Sequence, residues 1–163
     1  MGRPDDLNEE RMRLLAQQLG QQSFIQRVDT FPPEKLDRVI AHFYPSHYPD
    51  PISAVRLELR LLLSGDYNLY YQERWDGSSW ECRWDRHTNS HNDRKHFRPP
   101  PDIDETVPVD ATLPVEPNGL IECSFRFLDD RRAALWGSAP ELVYPDEYRY
   151  EWNYGPEIRQ LDE

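Results

Sequence analysis

The chain has 163 residues, enough for one domain with a real core. Its formal net charge of −11 counts against binding nucleic acid over the whole surface and leaves room only for a local basic patch. No run approaches the roughly eighteen apolar residues of a membrane span, and the polar, acidic start 1–10 does not read as a signal peptide. Cys82 and Cys123 are the only cysteines. Two isolated cysteines make no disulfide framework, and a reduced cytoplasm is the expected setting. Lys35 and Lys95 are the only lysines, so arginine carries most of the positive charge. That composition suits a high-salt cytoplasm, and a GC-rich genome that favours arginine codons gives the same result.

The first predicted element is a helix. Asp6 followed by Glu9 reads as a capping box. Met12, Leu15, Ala16 and Leu19 form one apolar stripe, and Gly20 is placed to end it. Residues 23–28 lead to a break at Pro32 and Pro33. Residues 38–44 read as a first strand, although 34–43 also tolerates a helical reading. The stretch 54–63 alternates strictly: Val55, Leu57, Leu59, Leu61 and Leu63 on one face, Arg56, Glu58 and Arg60 on the other. Ser64, Gly65 and Asp66 make a tight turn into the next strand, 67–75. Asp76–Gly77 signals a hairpin. In the last strand, 80–85, Trp80, Cys82 and Trp84 point one way and Glu81, Arg83 and Asp85 the other.

These readings give an α+β domain over 1–137. An antiparallel β meander of about four strands, 38–85, is packed with an N-terminal and a C-terminal helix. A histidine-rich loop 86–98 and a proline-rich connector 99–118 follow the meander. Ile121, Phe125, Leu128, Leu135 and Trp136 fit a helix over about 120–136 that Gly137 ends, while 120–127 alone also reads as a strand. The tail 138–163 carries Tyr144, Tyr148, Tyr150, Trp152 and Tyr154, and either docks on the body or waits for a partner.

Candidate chemistry concentrates in 83–96, which holds three of the five histidines, His87, His91 and His96. Histidine gives and takes protons near neutral pH. Arginine offers a fixed fork of donors to a phosphate. Cleaving RNA through its own 2′-hydroxyl needs a base, an acid and a cation facing the charge that builds on phosphorus. His91 and His96 supply base and acid in either order. Arg83 and Arg94 hold the phosphate, Asp85 orients a histidine, and Arg86 and Lys95 add RNA contacts. No cofactor is expected on this reading. Two rival readings use the same residues. In one, His87, His91 and His96, with Asp85, ligate zinc or another transition metal, although the spacing matches no standard zinc motif. In the other, histidines and asparagines satisfy the backbone of a polar loop. Arg56, Arg60 and Arg74 extend a basic stripe over the polar sheet face, and Glu58, Glu73 and Glu81 are placed to neutralise it across strands. Tyr67, Tyr71, Trp75, Trp80 and Trp84 read as core more readily than as base-stacking platforms.

Strand 67–75, the turn, strand 80–85 and the histidine-rich segment together resemble the TumE-type toxin family of prokaryotic toxin–antitoxin systems, as a distant member. Arg83, Trp84 and Asp85 match that family's Arg-Trp-Asp motif. His91 matches its first histidine group and His96 the later one. The likeness covers roughly 54–102, with a fainter echo in the opening helix. It departs where Arg86 replaces a frequent asparagine and where doubled histidines are single, and 120–163 lies beyond the pattern. The resemblance implies a small growth-inhibiting toxin of the cytoplasm, an action on RNA and a helix-turn-helix antitoxin as partner, with no membrane association. A noncatalytic member of a two-protein complex, gripping through the aromatic tail, and a metal-dependent hydrolase are the other expectations.

Overall fold

The computed structural model describes residues 2–31, 36–88, 93–98, 109–110 and 117–139. Helix α1 spans Glu9–Gly20 and buries Met12, Leu15 and Leu19, the stripe expected from sequence. Its cap is not Asp6. The side chain of Asn8 accepts from the Arg11 N–H at 3.1 Å, and Asp6 accepts instead from the Arg3 N–H at 2.8 Å. The reason is that Asp6 and Leu7 are held outside the helix: the Asp6 carbonyl accepts from the Leu63 N–H, and Leu7 bridges Leu62.

Seven antiparallel strands follow, lying side by side in chain order. They are β1 (Ile25–Phe31), β2 (Arg38–Phe43), β3 (Ala54–Leu61), β4 (Tyr67–Trp75), β5 (Ser78–Thr88), β6 (Asp93–Arg98) and β7 (Val109–Asp110). Helix α2 (Pro117–Ser138) closes the described chain. The α+β meander between two helices is as expected, but the sheet is wider than the four strands of 38–85. Strand β1 escaped notice because a register shift between Ile25 and Arg27 breaks its period of two. Strand β5 runs on to Thr88, and β6 occupies most of the segment expected as a histidine-rich loop. Phe97 is the only apolar residue of β6, so alternation could not announce it. Strand β7 lies in the proline-rich connector, most of which falls outside the described residues, as do Pro32, Pro33 and the aromatic tail beyond Ala139.

One sheet face carries the core. Val39, Ala41, Leu57, Leu59, Leu69, Tyr71, Cys82 and Trp84 are buried there. Helix α1 covers β1 to β3 on this side. Helix α2 covers β4 and β5: the Phe127 ring meets those of Tyr71 and Trp84, each at 5.0 Å between centroids and edge to face. Ser124 and Arg131 occupy buried positions on α2, which interrupts its apolar stripe and explains why 120–127 also read as a strand. Gly137 does not end this helix; Ser138 does.

Glu73 sits on the core face, contrary to its expected place on the polar one. It alternates with Tyr71 and Trp75 and is fully buried. Arg131 reaches it from α2 through two hydrogen bonds, Nε to Oε2 at 2.7 Å and an amino group to Oε1 at 2.8 Å. The Tyr71 hydroxyl donates at 2.6 Å and the Trp75 indole at 3.0 Å to the same carboxylate. The Arg131 guanidinium also stacks over Trp80, 3.7 Å from the ring centroid. Replacing Arg131 by alanine leaves a buried carboxylate with two neutral donors, and should cost about 3–5 kcal/mol in urea unfolding. A loss no larger than that of exposed Arg27→Ala would show the pair to be incidental.

Burial, first of all, pushes the Tyr48, Tyr70 and Tyr71 hydroxyls and the Cys82 thiol upward; the Glu73 carboxylate adds to this for Tyr48, Tyr71 and Cys82, and Glu81 for Tyr70. These groups are neutral when protonated. The folded state therefore holds their protons more tightly than the unfolded chain. Stability should stay level near neutrality and fall above about pH 9, where unfolded cysteine and tyrosine ionise. Thermal melts between pH 7 and 11 check this, and a midpoint that rises with alkalinity would contradict it.

Candidate functional site

The second sheet face is polar. The pleat gives it Arg38 and His42 on β2, Arg56, Glu58 and Arg60 on β3, Asn68 and Tyr70 on β4, and Glu81, Arg83, Asp85 and His87 on β5. Register aligns these residues in rows across the strands. One row runs Arg60, Asn68, Asp85, His96. The next runs Glu58, Tyr70, Arg83, Arg98.

Asp85 is almost fully buried, with 2% of its side chain exposed, and accepts from Arg83 Nε at 2.9 Å. Arg83 remains 31% exposed, so one end of the pair is in the interior and the other meets solvent. His96 lies directly opposite Asp85, and Arg94 directly opposite exposed His87. The register positions 83, 85, 87, 94 and 96 therefore belong to one face at one end of the sheet. His91 lies outside the described residues.

Arg86 and Lys95 pair with each other one step along the ladder, at positions of the opposite face. Arg86 is buried there, 3.4 Å from Asp66. Its amino group comes within 3.0 Å of where a Cβ on Gly65 would lie, and Gly65 holds a φ of +92°. Glycine is thus required at the 64–66 turn both for its backbone and for the space Arg86 fills. The structure brings Arg83 and Asp85 together and separates Arg86 from them.

Among the described residues, no group of three or more His, Cys, Asp or Glu side chains is placed to hold a metal ion. His42, expected as loop filler, is on β2 with its Nε2 3.1 Å from Asp29. Tyr67, Tyr71, Trp75, Trp80 and Trp84 are all buried core residues. Cys82 and Cys123 are buried and free.

Beside Arg83 the polar face opens into a groove of about 550 Å³, lined among others by Arg38, Arg56, Arg60, Tyr70 and Glu81. Tyr70 donates its hydroxyl to Glu81, and the Arg56 guanidinium stands over its ring at 5.9 Å. Arg38 and Arg56 reach Glu58 at 3.5 and 3.4 Å, and Arg60 reaches Asp37 at 3.5 Å. The sequence reading passed over Asn68 and Tyr70. Alternation along β4, combined with the Asp76–Gly77 turn, was enough to pair Tyr70 with Arg83.

The profile of the family described as Toxin TumE matches residues 16–134. The chain belongs to the TumE toxin family. The TumE match extends the likeness from within α1, across the whole sheet, to Ala134 on α2, so 120–134 is part of the family pattern and not an appendage. Arg131 and Glu73 both fall within it. Membership in a toxin family implies an antitoxin as partner for this TumE protein. No curated protein and no solved structure matches the chain. Among the described residues, no helix is long and apolar enough to cross a membrane.

Asp85→Asn removes the charge that Arg83 faces and keeps the shape. It should lower stability by about 1.5–3 kcal/mol, the usual worth of a hydrogen bond to a charged group. Denaturant titration reads this directly, and an unchanged midpoint would mean that the Arg83–Asp85 contact contributes nothing to the fold.

Proposed function

We propose that this TumE protein is a cytoplasmic toxin that cleaves RNA without a metal, and that a helix-turn-helix antitoxin holds it in check. The reading is supported chiefly by the cross-strand register that sets His96 opposite Asp85, beside the 2.9 Å Arg83–Asp85 contact on an exposed face. In the proposed reaction the RNA 2′-oxygen attacks the adjacent phosphorus. The bond from phosphorus to the 2′-oxygen forms as the bond to the 5′-oxygen breaks, leaving a 2′,3′-cyclic phosphate. One of His91 and His96 accepts the 2′-hydroxyl proton, and the other returns a proton to the leaving 5′-oxygen. Arg83 and Arg94 offset the negative charge that grows on the phosphate oxygens. Asp85 fixes the orientation of His96 and stabilises its protonated form. Arg86 and Lys95, at positions on the other side of the pleat, take no part in this scheme.

The decisive test is cleavage of RNA by the purified protein, with and without chelator, in parallel with His91→Ala and His96→Ala. Both variants should lose at least about a hundredfold in rate, the usual size of a general acid or base contribution. Chelator should leave the wild-type rate unchanged, and the pH–rate profile should be bell-shaped. Loss of cleavage with chelator would transfer the chemistry to a metal site. Absence of both cleavage and growth inhibition on expression would end the RNA-toxin reading.

A further inference from the structure

The groove beside Arg83 is a site that the proposed chemistry does not use. Its charges are sorted by depth. Arg38, Arg56 and Arg60 are 42%, 40% and 44% exposed, whereas Glu58 between them is 15% exposed. The carboxylates therefore lie low and hold the guanidinium stems in place, while the cations face outward. In a chain of net charge −11 this is a local reversal of sign. Tyr70 sits half-buried in the middle of the groove, with its hydroxyl tied to Glu81 and the Arg56 guanidinium over its ring. A tethered aromatic ring flanked by outward-facing arginines is the combination that binds single strands: the cations follow the backbone and the ring takes a base face. A duplex keeps its base faces stacked away, so it cannot use the ring.

Register links this groove to the proposed catalytic end. Arg60, Asn68, Asp85 and His96 occupy one row across four adjacent strands. With strands spaced about 4.8 Å apart, Arg60 and His96 lie about 14 Å from each other, more than one nucleotide. We infer that the groove binds single-stranded RNA, holding the nucleotides on one side of the cleaved phosphate, with Arg56 and Arg60 on the backbone and Tyr70 stacking one base. This inference rests on the RNA-cleaving reading and adds to it a substrate class, a direction of binding across the strands, and the residues that carry it.

The test uses the full-length protein and a labelled single-stranded RNA oligonucleotide, followed by fluorescence anisotropy at low and high salt and by cleavage kinetics. The Arg56→Ala/Arg60→Ala variant should bind about tenfold more weakly, with a salt dependence shallower by about one unit of slope. Tyr70→Leu should also lose about tenfold, the scale of one stacked base, while Tyr70→Phe keeps the ring and stays within about twofold of wild type. The same RNA annealed to its complement should bind the wild type more weakly than the single strand. Melting curves of all variants confirm folding, because the substituted side chains lie on the polar face. If the wild type binds and cleaves RNA while the arginine and leucine variants match it, the groove inference fails and the catalytic reading stands. Unchanged RNA binding together with lost neutralisation by the antitoxin would overturn the inference and assign the groove to that partner. Failure of the wild type to bind RNA at all would overturn both.

Discussion

The buried Glu73–Arg131 pair is the constraint on which the rest of the molecule depends. A carboxylate in the middle of an apolar sheet face is costly unless it is paired and its oxygens are satisfied. Here one guanidinium and two neutral donors do both, so every oxygen of Glu73 has a partner. The pair joins residues 58 positions apart in sequence and fixes α2 over β4 and β5 in one register. A purely apolar contact between Phe127, Tyr71 and Trp84 would tolerate sliding; a two-pronged ion pair in the core does not. With both helices held on that side, the other face of the sheet is left to polar residues.

Much of this was legible in the sequence. Strands β3, β4 and β5 announce themselves by alternation, and their turns by Gly65 and Gly77, both with positive φ. The exposed face of those strands followed directly. What stayed hidden had physical reasons. Strand β1 carries a bulge that destroys its period, and β6 is held by ladder hydrogen bonds alongside a chain with hardly any apolar residues. Glu73 and Arg131 read as surface charges because charge usually is surface, and only tertiary pairing reverses that expectation. For the same reason α2 looked ambiguous: two of its inward positions, Ser124 and Arg131, are polar.

The candidate site was legible in composition but not in geometry. The run of histidines and arginines in 83–96 marks chemistry, yet a loop reading says nothing about which side chains meet. A hairpin does. Once β5 and β6 pair, odd and even positions go to opposite faces, and the run separates into two sets. Arg83, Asp85, His87, Arg94 and His96 belong to the open face, Arg86 and Lys95 to the other. The burial of Arg86 against Asp66 shows that a basic residue next to a motif can serve the fold alone.

This dependence on register ties the site to a turn some distance away. Side chains alternate with a period of two, so a slip of one residue between β4 and β5 would send Asp85 and Arg83 to the core and Trp84 to solvent. The two-residue turn Asp76–Gly77 sets that register, with Trp75 opposite Ser78 and Gly77 at a φ of +71°. A side chain at Gly77 meets no atom within 4 Å, so space is not the restriction there; the backbone conformation is. The same ladder carries the register on to Asn68 opposite Asp85, eight pairs from the turn. The polar rows are therefore a consequence of backbone pairing, and the proposed site inherits its alignment from a glycine that never touches it.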